Sequence, residues 1–239
     1  MPAHPYAYLT GSLLWLAVWA ALFAALKPHR RAMIWTSLCL APTAPLSEIG
    51  CLRDYWHPPF ILELRWGGWH FGGVEDYILG FALSGICAGV FEGWVVRRGA
   101  ARLPPVRWRS IGRLAVWPGL GLLGFMGGLA LGLRSIDSLL GAILLASGAM
   151  LARRRAPWAP ALGLSVLFAL AYQLFYVGVF LPWFPGSIEA FWNLENTWGI
   201  QWGGVPLEET IWAGLTMLFA GPYFRAALAP WGGGEGIGH

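Results

Sequence analysis

The chain has 239 residues, of which 57% are hydrophobic and only 12% charged, with a net charge of +4 and a mean hydropathy of +0.56. A soluble domain carries about a quarter charged residues, so the composition excludes an ordinary soluble protein and points to an integral membrane protein. The length suits one helical domain and leaves no room for a second.

Seven stretches are long and apolar enough to cross a hydrocarbon core of about 30 Å. The first covers 7–26. It lacks a basic region before it and a small-residue cleavage site after it, so it is expected to remain as a span rather than be removed as a signal peptide. The second, 32–50, is interrupted by Pro42 and Pro45 and ends near Glu48. Membrane helices tolerate such breaks when neighbours satisfy the freed backbone groups. The third, 74–96, begins inside "GGVEDYILG" (72–80), with Glu75 and Asp76 at its head. The fourth, 113–133, contains "GLGLLG" (119–124). That spacing matches a dinucleotide-binding loop, but it lies inside an apolar span with no preceding strand. Small residues for close helix packing explain it instead. The fifth, 136–152, is short. The sixth covers 158–181. The seventh, 205–225, opens with "GVPLEETIWA" (204–213), again with paired acids, Glu208 and Glu209.

Basic residues set the orientation. Lys27, Arg30 and Arg31 follow the first helix. Arg97, Arg98, Arg102, Arg107, Arg109 and Arg113 follow the third, Arg153, Arg154 and Arg155 the fifth, and Arg225 lies at the tail. With seven helices all of these fall on one side, which is expected to be cytoplasmic, with the N-terminus outside the cell (inner) membrane. The basic pI of 9.2 therefore calls for no nucleic-acid partner. The acids show the opposite bias. Asp54, Glu63, Asp137, Glu189 and Glu195 fall in outer loops, and Glu48, Glu75, Asp76, Glu208 and Glu209 at helix ends on the same side. Only Glu92 and Glu235 lie near the cytoplasm.

The chain nearly repeats itself. "WHFGGVEDYILG" (69–80) aligns with "IQWGGVPLEETIWA" (200–213) once Pro206 and Leu207 are skipped. The expected fold is an all-α polytopic membrane bundle in one domain, 1–239. Two parallel three-helix repeats, 5–98 and 135–228, are joined by a linker helix, 99–134, and followed by a tail, 229–239. By the logic of repeat-built transporters, a site belongs at the repeat interface, here between the third and seventh helices.

An ordinary helix cap explains part of "PLEE": proline suits a first helical position and carboxylates suit the first turn. It explains an adjacent pair less well, because neighbouring carboxylates repel and burial makes charged forms costly. Adjacent helical residues point about 100° apart, so the two members of a pair cannot serve one atom alike. A donor and an acceptor are expected as one acid from each repeat, with Glu48 in support. Aromatic residues crowd the same face. A membrane-interface belt accounts for many of them, but beside the acids Trp66, Trp69, Phe71, Trp198, Trp202 and Trp212 are candidate walls of a cavity, since aromatic faces stabilise cations.

No metal or cofactor is expected. Cys39, Cys51 and Cys87 lack metal-type spacing and suggest no structural disulfide. His57 and His70 alone are weak metal evidence, and no aspartate-rich cluster exists to hold magnesium and a diphosphate. Lys27 is the only lysine and lies in a loop, which excludes a Schiff base within a helix.

At these residues the sequence resembles the small integral-membrane lycopene cyclases of the heterodimeric or fused type. "YAYLTGSLLW" (6–15) is similar to the helix that opens that family's three-helix unit, Glu48 stands near the acid that ends its second helix, and "GVPLEETIWA" carries its Pro-Leu-Glu-Glu motif in full. The first unit keeps the acids but lacks Pro-Leu, and the second offers Gln173, within "AYQLFYVGV" (171–179), in place of Glu48. The resemblance implies a carotenoid cyclase that closes the acyclic end of lycopene into an ionone-type ring without net redox change. It implies a lipophilic polyene substrate in contact with membrane lipid, with Glu208, Glu209, Glu75, Asp76 and Glu48 as the acids. An oligomer is compatible with it. The alternatives are another membrane terpenoid cyclase, a carotenoid hydratase, a transporter with an outer acidic site, and a non-catalytic subunit needing a partner half.

Overall fold

In a computed structural model, which describes residues 4–100, 103, 112–154 and 157–228, the apolar runs are helices and the segments before the paired acids are hairpins. The helices are α1 (Ala7–Ala25), α2 (Arg30–Leu40), α3 (Thr43–Asp54), α4 (Val74–Arg97), α5 (Val116–Ala130), α6 (Ser135–Arg154), α7 (Trp158–Phe175), α8 (Ser187–Phe191) and α9 (Leu207–Leu228). The tail 229–239 and several basic loop residues, among them Arg102, Arg107, Arg109 and Arg155, lie outside the described residues.

Among the described residues, five helices are long and apolar enough to cross a membrane: Ala7–Ala25, Val74–Arg97, Gly112–Ala130, Ser135–Arg153 and Trp158–Trp183. Two expected spans fall outside that set for physical reasons. The span at 32–50 is two helices, because Pro42 has no N–H to continue α2; Thr43 caps the break by donating Oγ1 to the Leu40 carbonyl at 2.7 Å. The span at 205–225 is α9, which carries Glu208, Glu209 and Arg225 and packs against α7, α4 and α6. Protein rather than lipid surrounds much of it, so its sequence need not be strongly apolar. The fifth apolar stretch is longer than its composition suggests, at 20 residues. The sixth continues past Phe175 through a π-helical turn, Tyr176–Phe180.

Hairpin β1–β2 (Glu63–Trp66, Trp69–Gly73) turns at Gly67 and Gly68, and hairpin β3–β4 (Gln201–Trp202, Val205–Pro206) turns at Gly203 and Gly204. Both turns need two consecutive positive φ angles, 56° and 82° in the first and 59° and 82° in the second, which is why each is Gly-Gly. This corrects the sequence alignment. Gly203-Gly204 corresponds in shape to Gly67-Gly68, not to Gly72-Gly73, which end β2. The helix starts nevertheless match: Glu75 and Asp76 are the second and third residues of α4, and Glu208 and Glu209 those of α9. Pro206 belongs to β4, one residue before α9, rather than to the helix.

Small residues let the helices approach closely. A Cβ on Gly221 of α9 would lie 3.3 Å from Phe91 of α4, and one on Gly124 of α5 would lie 3.4 Å from Ala142 of α6. The latter gives part of "GLGLLG" its packing role. Between α4 and α9, Arg225 donates Nε and Nη2 to Glu92 at 3.0 and 2.6 Å. Cys39, Cys51 and Cys87 are free thiols.

Candidate active site

Three carboxylates from different elements meet one cavity of about 190 Å³. Glu48 reaches it from the middle of α3, Asp76 from the first turn of α4 and Glu209 from the first turn of α9. All three are buried. Each is held by neutral donors. Trp56 donates Nε1 to Glu48 Oε2 at 2.9 Å. Gly73 donates its backbone N–H to Asp76 Oδ2 at 2.8 Å, and Tyr8 donates its hydroxyl to Oδ1. Tyr55 (2.9 Å) and Trp192 (3.1 Å) both donate to Glu209 Oε1. Asp76 thus has both oxygens engaged, whereas Glu48 Oε1 and Glu209 Oε2 are left to the cavity.

The acid end is walled by Tyr8, Tyr55, Trp56, Tyr172, Tyr176 and Trp212. These rings brace one another. Tyr8 meets Trp56 edge-on with centroids 5.0 Å apart, Tyr172 meets Tyr176 at 5.2 Å, and Tyr172 meets Trp212 at 5.8 Å. Beyond them the lining is apolar, with Leu79 and Leu83 of α4, Leu122 and Phe125 of α5, Leu139 of α6 and Phe219 of α9. From Glu209 to Ala220 the cavity follows α9 for about 16 Å. It is a slot with a polar, aromatic head and a hydrocarbon body.

Gly72 shows how tightly the head is built. Its φ is +74°, and a Cβ there would lie 2.1 Å from Asp76 Oδ2 and 2.6 Å from Glu48 Cγ. Gly72→Ala therefore combines left-handed strain of roughly 1–2 kcal/mol with displacement of two cavity acids. Activity per unit of accumulated protein should fall further than accumulation itself, as measured by product formed against protein in the membrane fraction.

The structure sorts the expected site residues into two groups. Glu48, Asp76, Glu209 and Trp212 line the cavity. Glu75 and Glu208 are fully buried beside it but do not line it. Trp66, Trp69, Phe71, Trp198 and Trp202 do not wall it either. The four tryptophans are exposed, Trp66 to 79%: Trp66, Trp69 and Trp202 lie on the two hairpins, and Trp198 in the loop before the second. Residues in and beside the first hairpin also carry polar contacts. Arg65 donates Nε to Glu63 at 2.6 Å, a hydrogen bond that holds the Glu63 carboxyl below its ordinary range. Arg53 lies over the Trp69 ring at 5.4 Å. Gln173 meets Thr210 (2.6 Å) and the Trp202 carbonyl (2.5 Å), tying α7 to α9 and its hairpin.

Sequence reasoning missed the tyrosines. Tyr172 of α7 and Tyr176 of the π-helical turn that continues it stand four residues apart, a spacing that places them together. Tyr8 and Tyr55 had no such signal; they come to the acids only through the fold.

Residues 137–227 match the family model described as lycopene cyclase. The matched family is that of the lycopene cyclases, over this C-terminal stretch of the chain. No curated protein and no solved structure matches the chain. The lycopene cyclase match meets the resemblance read from "GVPLEETIWA", and it supports a carotenoid cyclase function in general terms. The matched stretch includes Tyr172, Tyr176, Glu209 and Trp212, while Tyr8, Glu48 and Asp76 come from outside it and complete the same cavity.

Proposed function

We propose that the chain closes the acyclic end of a lycopene-like polyene into an ionone-type ring by acid–base chemistry within the membrane. The observation that carries this reading is the meeting of Glu48, Asp76 and Glu209 at the aromatic head of an otherwise hydrocarbon slot. A carboxylic acid protonates the terminal double bond, and the cation forms at the branched carbon. The neighbouring alkene attacks that carbon, closing the ring and moving the cation onto it. A carboxylate then removes a ring proton and restores a double bond. One proton enters and one leaves, so the product is an isomer of the substrate. General acid–base assistance of this kind contributes typically about 10²–10⁴-fold.

Glu48 and Glu209 are the proposed exchanging pair, because each turns an oxygen without a hydrogen bond to the cavity. One of them starts protonated, and the proton passes back between turnovers. Asp76, anchored on both oxygens, faces the developing positive charge as a fixed acceptor. The aromatic rings stabilise the cation without trapping it, since a ring face offers no lone pair for a new bond. The apolar body excludes water that would otherwise add to it.

Pigment analysis of lycopene-producing cells expressing the chain tests the reading. A new, less polar product isomeric with lycopene and carrying a ring is expected. Unchanged lycopene overturns it, and a hydroxylated acyclic product turns it into a hydratase.

The proposal includes two parallel repeats around a linker helix, seven spans, and an N-terminus outside. Arg98 and Glu195 are both exposed and are expected on opposite sides. Arg98→Cys should react with an impermeant thiol reagent only after the membrane is opened, and Glu195→Cys before. Reaction of both from one side would exclude the arrangement.

A further inference from the structure

We infer that Glu75 and Glu208, the first acid of each pair, are positioning residues that clip the loops carrying the cavity's indole donors and exchange no proton with substrate. Each is the second residue of its helix and is fully buried. Glu75 Oε1 accepts the backbone N–H of Ile61 at 2.7 Å, and Glu208 Oε1 accepts that of Trp198. The two loops so held run on from Trp56 and Trp192. Those are the residues that donate Nε1 to Glu48 and Glu209.

The arrangement is matched on both sides. Trp56 and Trp192 pair through their backbones, and their indoles lie 5.4 Å apart at the head of the slot. Phe60, just before the clipped Ile61, packs edge-on against Tyr8 at 5.8 Å. Each clip therefore fixes a short loop whose near end orients a cavity acid. The remaining oxygens, Glu75 Oε2 and Glu208 Oε2, are buried and without a partner among the described residues. Neither residue lines the cavity. The adjacent acids, Asp76 and Glu209, about 100° further round each helix, do line it.

The inference rests on the cyclase reading for its catalytic half, but the clip is testable without activity. Glutamine keeps an acceptor oxygen for the loop amide, whereas alanine does not. Hydrogen exchange of the purified full chain should show the Trp198 amide protected in the parent and in Glu208→Gln, and released in Glu208→Ala. Protection that survives in Glu208→Ala overturns the clip. In lycopene-producing cells, Glu208→Gln and Glu75→Gln should retain ring formation within about tenfold of the parent, since a neutral acceptor replaces a charged one at roughly one hydrogen-bond increment. Their pH–rate profiles should coincide with the parent's. A loss of a hundredfold or more in Glu208→Gln, with protein accumulating normally, would instead make Glu208 a proton-exchanging acid. A parent chain that forms no ring defeats the cyclase reading and leaves the hydrogen-exchange result to decide the clip.

Discussion

Glu209→Gln is expected to reduce ring formation by at least about a hundredfold, the lower bound of general acid–base assistance, while the protein still accumulates in the membrane. The geometry makes this substitution clean. Tyr55 and Trp192 both donate to Oε1, and a glutamine carbonyl accepts from both in the same place. The change falls on Oε2, the atom turned to the cavity, which becomes an NH2 group that neither gives nor takes a proton at carbon. Asp76→Asn should behave differently. Both Asp76 oxygens accept hydrogen bonds, from Tyr8 and from the Gly73 N–H, so an amide nitrogen must face one donor with another. Accumulation and activity are expected to fall together there. Product per unit of membrane protein, compared between the two variants, separates chemistry from construction. Equal loss of protein in both would make Glu209 a structural cap like any other.

The sequence made the class and the acids legible, but not their division of labour. Low charge and long apolar runs marked a membrane protein, and two acid pairs at helix heads marked one end of the bundle. That adjacent acids cannot serve one atom alike was also readable, because helical rotation is local. Which member of each pair faces inward was not. That depends on how α4 and α9 are rotated against α3, α6 and α7, and nothing in "EDYI" or "EETI" encodes it. Of the expected aromatic walls only Trp212 lines the slot, and the rest failed for a related reason. Trp66, Trp69 and Trp202 are near the acids in sequence, but Gly-Gly turns fold them into hairpins that leave them exposed, and Trp198 is exposed in the loop before the second. The other rings that wall the head come from α1, the end of α3 and α7 with its π-helical turn. Composition counts aromatic residues at a face; only the tertiary packing selects the ones that enter the cavity.

At the opposite end of α4 and α9, breaking the buried ion pair should be the most destabilising single change outside the cavity. Glu92 is 2% exposed and takes both Nε and Nη2 of Arg225. An interval of 133 residues separates the two, and the same interval separates Asp76 from Glu209. Counted from their helix starts, the paired residues therefore occupy matching positions, as the two cavity acids do. The ion pair ties α4 to α9 at one end of a packed contact, and the slot opens between them at the other. Arg225→Met leaves a buried carboxylate without that partner, a situation that costs about 3–5 kcal/mol. Replacing both partners by apolar residues of similar size removes the charge along with its need for compensation and is often near neutral. Arg225→Met should thus lower the unfolding temperature in detergent and the yield of ring product together. The double variant Glu92→Met/Arg225→Met should regain most of the stability. Its activity then measures how far the slot depends on that tie: recovery of stability without recovery of cyclisation would show that the pair positions the two helices that carry Asp76 and Glu209, and recovery of both would show that the remaining packing between them suffices.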